Sequence, residues 1–211
     1  MDEIYRIRLD ALEETWRAWG ELGERLTDGQ WSTATRCTGW DVAAVYAHHS
    51  AFPLAMSEPP PLVDGPAGQP VTAVEILRRF NSPGGIAHSM AETVADVAVA
   101  DVGAHTHREL IERFVEYGPR VVHRLRAARP TLVLPWPASG GVITLVEVLR
   151  IVLMEATVHL LDIQRALEYP PDVPDLALND TTRLLAELAP AVEFIEAATG
   201  RSADSPLPVL R

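Results

Sequence analysis

The sequence predicts an all-α protein, an up-and-down four-helix bundle with extra short helices. Three observations predict it. Long segments repeat apolar residues at helical spacing, Pro- and Gly-rich segments separate them, and alternating strand patterns are nearly absent. Only residues 131–134 are apolar and β-branched enough for a short extended piece. We expect residues 1–200 to form the bundle as one domain and residues 201–211 to form an irregular C-terminal tail.

The first two predicted helices lie in the N-terminal quarter of the chain. Residues 3–26 carry apolar side chains at helical spacing with charges between them, which indicates an amphipathic helix. An irregular segment follows. Asp41 is a favourable N-cap residue and predicts the start of a second helix. This helix should run to about Ser57, because three prolines follow at 59–61.

Capping boxes mark the starts of three more helices, since each pairs a threonine with a glutamate three residues later. The pairs are Thr72 with Glu75, Thr106 with Glu109, and Thr144 with Glu147. These helices should end near residues 81, 128 and 168. A break over residues 82–85 separates the first of them from an Ala-rich helix that ends at about Val99. A last helix over residues 179–199 should close at Gly200.

Charge and cysteine content limit the partners and the compartment. The formal net charge of -11 opposes binding to a phosphate backbone, so we expect no nucleic-acid partner. Cys37 is the single cysteine, which excludes an intrachain disulfide and fits a reducing compartment. The N-terminus is acidic where a signal peptide is basic. The sequence also contains no run of about 18 uncharged apolar residues, which a helix would need to span a bilayer. We therefore expect a cytoplasmic protein with no membrane partner.

The helix predicted over residues 144–168 carries the first candidate functional residues. Glu155 and His159 are four residues apart, and Asp162 lies one turn further along the same stripe. Because this stripe begins with Val148 and Val152, it should point inward. A buried carboxylate and imidazole must find partners, and a metal ion is one such partner. An ordinary Glu–His contact on a partly exposed face is the alternative.

A third candidate ligand lies on the second predicted helix. We expect its inward stripe to contain Val45, His48 and Phe52, whereas His49 is rotated by about 100° and should face elsewhere. Two histidines and one glutamate suggest an open, reactive site, most often a zinc site, although nickel, iron and manganese accept the same ligands. Asp162 could accept the other ring proton of a ligand histidine, or it could be a surface carboxylate.

Two motifs resemble a known family. Residues 35–48 have the form T-x-C-x-G-W-D-V-x-x-V-x-A-H, and residues 155–162 have the form E-x-x-x-H-x-x-D. Both are similar to motifs of the mycothiol-dependent maleylpyruvate isomerase family, which belongs to the DinB-like metal-binding four-helix bundles. The resemblance implies that His48, Glu155 and His159 bind a divalent metal, usually zinc. It also implies that the metal activates the thiol of mycothiol, which then adds to a small electrophilic substrate.

The sequence departs from the family in two ways, and both concern the exact reaction, not the fold or the metal site. Maleylpyruvate isomerases carry a sterol-carrier-like C-terminal domain, which we expect this chain to lack, and Cys37-Thr-Gly39 replaces the more usual Cys-Pro-Gly. We therefore expect a metal-dependent enzyme that uses a mycothiol-like thiol for isomerisation or transfer, without maleylpyruvate as the implied substrate. A hydrolase that activates water on the metal and a non-catalytic metal-binding scaffold are the alternatives. The oligomeric state is open, with a homodimer among the options.

Other reactive side chains have simpler interpretations. We expect Cys37 to be a small, at least half-buried residue, since only Arg36 nearby in sequence could lower the pKa of its thiol. Trp40 should anchor the start of the second helix by packing. The remaining histidines should be solvent-exposed, in the case of His105 and His107, or ordinary helix residues, in the case of His88 and His123.

Overall fold

The computed structural model describes residues 2–58, 68–83, 85, 90–136 and 141–210. The predicted all-α class is confirmed, since helices dominate and two short strands are the only sheet in the described part of the chain. The helices are α1 (Asp2–Arg25), α2 (Asp28–Trp31), α3 (Val42–Ser57), α4 (Ala73–Phe80), α5 (Ala91–Ala104), α6 (His107–Glu112), a π-helical turn (Arg113–Tyr117), α7 (Gly118–Arg126), α8 (Leu145–Ala166), α9 (Asp175–Leu188) and α10 (Ala191–Ala198). The strands are β1 (Val133–Trp136) and β2 (Gly141–Thr144).

Four helical rods form the bundle: α1, α3, the continuous segment over residues 107–126, and α8. The inner face of α1 follows from its helical spacing, and its buried side chains include Leu9, Leu12, Trp16, Trp19 and Leu22. Helix α8 is the most enclosed rod because it packs against α1, α3 and α9. Residues 201–210 form no helix or strand.

Aromatic side chains fill the centre of the bundle. The Trp19 and Phe114 rings stack with centroids 5.2 Å apart, and Tyr46 meets the Trp19 ring edge-on at 5.3 Å. The Tyr46 hydroxyl donates to the Trp19 carbonyl oxygen at 3.0 Å, so its polar group is satisfied inside the core. This cluster fixes α1, α3 and the π-helical turn relative to one another.

The π-helical turn interrupts the helix predicted over residues 106–128. It carries Arg113, a buried arginine that donates to both carboxylate oxygens of Asp101 at 2.5 and 3.0 Å and to the Ser50 hydroxyl at 3.2 Å. Asp101 lies near the end of α5, which extends past the predicted end at Val99. The arginine therefore ties α5 to the bundle.

The predicted capping box at Thr144 and the predicted single C-terminal helix are wrong. Helix α8 starts directly after Thr144, as predicted, but the Thr144 side chain makes no capping bond, and the Glu147 carboxylate accepts from the Ala73 backbone N–H at 2.8 Å and from Arg8 at 3.4 Å. The single helix predicted over residues 179–199 is two helices, α9 and α10. Pro190 lies between them, where it cannot donate a helical hydrogen bond.

An extended segment is observed close to the one predicted at residues 131–134. Strand β1 starts two residues later than residue 131 and pairs antiparallel with β2, with Val133 opposite Thr144. The predicted proline stop at 59–61 and part of the predicted break at 82–85 lie outside the described residues. None of the described helices combines the length and the apolar character that crossing a bilayer requires.

Candidate metal centre

Helices α3 and α8 bring the three predicted ligands together. The Glu155 Oε2 atom lies 3.3 Å from His159 Nε2 and 3.9 Å from His48 Nε2. One possible ligand atom from each of the three residues lies within 4.8 Å of the other two. The side chains are only 16–27% exposed. Three donor atoms from two distant parts of the sequence therefore face a common point.

The start of α3 positions His48. The Asp41 carboxylate accepts the Ala44 backbone N–H at 2.9 Å, which caps the helix as predicted. Trp40, one residue earlier, lies over the site, with its ring centroid 5.0 Å from His48 and 6.2 Å from His159. Trp40 packs against the core, as expected for an anchor, and it also lines the cavity beside both imidazoles.

The predicted orientations of His48 and His49 are wrong. His49 is fully buried, and its Nε2 accepts from the Trp16 indole N–H at 3.3 Å. Burial lowers the pKa of His49 well below its usual value, so this imidazole is a neutral core residue. The buried stripe of α3 runs through Val45 and His49, which places His48 at the edge of the core, facing the cavity.

Asp162 connects the site to the segment before α3. Its Oδ2 atom lies 2.9 Å from His159 Nδ1 and 3.3 Å from the Cys37 thiol, and its Oδ1 accepts from Arg36 at 2.5 Å. Asp162 is buried, whereas the Arg36 side chain that donates to it is 58% exposed. Because a carboxylate can only accept here, His159 donates through Nδ1 and leaves Nε2 facing Glu155.

The electrostatics of the site favour charged carboxylates. Burial would raise the pKa of Glu155, but hydrogen bonds with His159 and His48 outweigh it and hold this pKa far below its usual value. Burial also opposes ionisation of Asp162, and contacts with His159 and Arg36 again lower the pKa. For His159, burial acts against protonation, but the bond to Asp162 leads the contacts that raise its pKa well above the usual value. The site is a region where positive charge is stabilised.

A cavity of about 610 Å³ opens onto the three donor atoms. Its walls come from the segment before α3 and from α3, α4, α5, β1 and α8, and they are mostly hydrocarbon and aromatic. The apolar lining residues are Trp40, Phe52, Ile76, Leu77, Phe80, Met90, Val94, Ala95, Trp136 and Ile151. Volumes of this size are typical of small-molecule sites.

A family model described as the mycothiol maleylpyruvate isomerase N-terminal domain matches residues 12–164, more than two thirds of the chain. The chain belongs to this family. The matched segment contains every residue of the candidate centre, from Arg36 to Asp162. The match bears out the resemblance carried by the two sequence motifs. Comparison with curated proteins and with solved structures gives no match.

The donor set of this member of the mycothiol maleylpyruvate isomerase N-terminal domain family fits a divalent metal. Two imidazole nitrogens and one carboxylate oxygen are typical ligands of open zinc sites. The bond between Asp162 and the far ring nitrogen of His159 is the kind of contact that orients a metal-binding histidine. His48, Glu155 and His159 could therefore hold the ion.

A second group of possible ligands, Cys37, His159 and Asp162, also lies within 4.8 Å. Its atoms already bond one another and Arg36, so they are less available to an ion. Cys37 is half-buried, as expected, and its thiol lies 3.3 Å from an Asp162 carboxylate oxygen. The T-x-C motif gave no indication of this contact, because the partners are more than 120 residues away.

The other histidines lie away from the centre. His105 bonds Asp101, and His107 stacks on Trp31 with ring centroids 4.2 Å apart, so both are half-buried rather than solvent-exposed as predicted. His123 is an exposed residue of α7, consistent with an ordinary helix position. His88 lies outside the described residues.

Proposed function

We propose that the protein is a divalent-metal-dependent enzyme that activates a low-molecular-weight thiol, mycothiol or a similar one. The thiol then adds to a small electrophilic substrate, which is isomerised or receives the thiol. The observation that carries the proposal is the convergence of His48, Glu155 and His159 at the wall of an apolar cavity. Family membership supports the thiol part of the proposal.

Each polar residue has a separate role in this proposal. His48, Glu155 and His159 would hold the ion, most simply zinc. A bound divalent metal lowers the pKa of a coordinating thiol, so that the thiolate, which is the nucleophile, forms near neutral pH. Asp162 holds the His159 ring in one orientation through Nδ1, and Arg36 holds Asp162. Asp162 is therefore a positioning residue.

The cavity would serve the reaction by holding the electrophile and excluding water. Its apolar walls extend from the donor atoms outward, and Trp40 covers the centre from one side. Fewer water molecules near a thiolate mean fewer hydrogen bonds that weaken it as a nucleophile, and less competing hydrolysis. Holding the thiol and the electrophile in one cavity also removes the entropic cost of a chance encounter.

Metal analysis of purified variants tests the ligand assignment. We expect about one equivalent of metal in the wild type and a loss of metal in His48→Ala and His159→Ala. The matched controls are Cys37→Ser, which alters the neighbouring group, and His123→Ala, which removes an exposed imidazole. Both should keep the metal. Full metal content in His48→Ala, or loss of metal in Cys37→Ser alone, would overturn the assignment.

Thiol consumption tests the reaction class. The metal-loaded protein should consume mycothiol in the presence of an activated electrophile, and chelation should abolish this consumption. The fold should persist after chelation, because the bundle has its own apolar core. Equal turnover with no thiol present would instead indicate hydrolysis.

A further inference from the structure

The cavity beside the candidate metal centre has an unusual charge distribution. Its polar lining consists of Cys37, Thr38, His48, Glu155 and His159, and no arginine is among the described residues that line it. The chain has no lysine at all, so arginine is its only strongly basic side chain. Arg36, the nearest arginine in sequence, is engaged with Asp162 on the other side of His159. The described part of the wall therefore offers no guanidinium to pair with an anionic substrate.

The centre itself would not attract a second anion once a thiolate is bound. The Glu155 carboxylate and a thiolate would together balance the two positive charges of a divalent metal. Moving a further carboxylate from water into walls made of hydrocarbon and aromatic rings would leave that charge unpaired, which is strongly unfavourable.

We propose that the electrophile taken by this cavity is a neutral, largely hydrocarbon or aromatic molecule, and not a carboxylate-bearing one. This inference depends on the proposed function for the reaction but not for the binding. Rings and alkyl groups would be buried against Phe52, Phe80, Trp136 and Val94, which lie along the cavity walls. The site would thus select its substrate by apolar contact and by exclusion of charge.

A matched pair of fluorescent probes tests the binding. N-phenyl-1-naphthylamine is neutral, and 8-anilinonaphthalene-1-sulfonate has the same aromatic framework with one negative charge. Both are titrated into folded protein with the metal removed. We expect the neutral probe to bind at least about tenfold more tightly. Equal binding, or tighter binding of the sulfonate, would overturn the inference.

An arginine substitution on the cavity rim provides the second measurement. Val94 lines the cavity and is 38% exposed, so Val94→Arg should be tolerated by the fold while placing a cation at the wall. Val97→Arg is the control, because Val97 is on the same helix, is 63% exposed and does not line the cavity. Val94→Arg should shift the preference toward the sulfonate by about fivefold or more, and Val97→Arg should not. The same shift in both variants would overturn the inference.

Turnover separates a failure of this inference from a failure of the proposed function. The substrates are 2-chloro-1,3-dinitrobenzene and the same molecule with a carboxylate para to the chlorine, 4-chloro-3,5-dinitrobenzoate, with mycothiol and metal-loaded protein. A C–S bond forms, the C–Cl bond breaks, chloride leaves with the electron pair, and the thiol proton passes to solvent. We expect faster reaction with the neutral substrate. Preference for the carboxylate would refute the inference alone. Selective probe binding without any thiol consumption would refute the proposed function and leave the cavity's selectivity in place.

Discussion

Asp101→Asn should destabilise the protein by about 2–3 kcal/mol. Asp101 pairs with the guanidinium of Arg113, which is 4% exposed, through bonds of 2.5 and 3.0 Å. Breaking a buried pair on one side costs about 3–5 kcal/mol, because the remaining charge is left uncompensated. The Asp101 side chain is 22% exposed and asparagine keeps one accepting oxygen, so we expect the lower part of that range or slightly less. With a urea slope of about 2 kcal/mol per molar, the unfolding midpoint should fall by about 1–1.5 M.

The matched control is an exposed ion pair on the same helical segment. Glu116 and Arg120 are four residues apart, and their side chains are 53% and 69% exposed. Glu116→Gln should therefore cost no more than about 0.5 kcal/mol. The double variant Asp101→Leu, Arg113→Met should recover most of the lost stability, because an apolar pair replaces both charges. If Asp101→Asn costs no more than the control, or if the double variant is the least stable, the buried pair does not hold α5 as described.

Three further predictions concern pH, packing and the candidate centre. The pKa of Asp101 lies below its ordinary 3.8, chiefly because its carboxylate accepts a hydrogen bond from the Arg113 guanidinium. The contribution of Asp101 to stability is therefore full above about pH 4 and is lost as the pH falls through the lower pKa of the folded state. In Asp101→Asn, the stability measured by urea unfolding should vary less with pH between pH 5 and pH 2.5 than it does in the wild type. The same pH dependence in both proteins would contradict this. Gly23→Ala should destabilise by about 1–3 kcal/mol, since the added methyl group meets a tyrosine ring and an isoleucine, whereas Gly103→Ala, with open space around it, should stabilise by up to about 1 kcal/mol. Thermal melts of the two variants would disprove the packing argument if both shifted in one direction. Asp162→Asn should weaken metal affinity by about 10–100-fold in chelator competition, and unaltered affinity would remove its positioning role.

The fold and the α8 half of the candidate centre could be predicted because both depend on local periodicity. Glu155, His159 and Asp162 are separated by four and three residues, and a helix places such residues on one face whatever surrounds it. The apolar repeat of the same segment ensured that this face would be enclosed. Prolines and glycines, together with two of the three predicted capping boxes, indicated where most helices begin or end.

The orientation of His48 and His49 could not be predicted in this way. Helix α3 is apolar on nearly every side, with buried residues from Val42 through Ala47, so the sequence pattern does not distinguish one inward face from another. The position of the aromatic core decides instead, because Trp16 and Trp19 of α1 contact the imidazole of His49. That information lies in a different helix.

Long-range polar contacts were the other part missed. The contact of Arg36 and Cys37 with Asp162 joins parts of the chain more than 120 residues apart. Glu147 likewise bonds the first residue of α4 in place of the nearby threonine. A carboxylate can accept similar hydrogen bonds from a residue nearby in sequence or from a distant one, and only the packed structure determines which bond forms.

The candidate metal ligands and the residues that line the cavity beside them belong largely to different parts of the chain. The donors stand on two rods of the bundle, whereas much of the enclosure comes from α4, α5 and β1, which lie outside the four rods. Substitutions in α4, α5 and β1 would therefore alter the shape of the cavity while leaving the three candidate ligands unchanged.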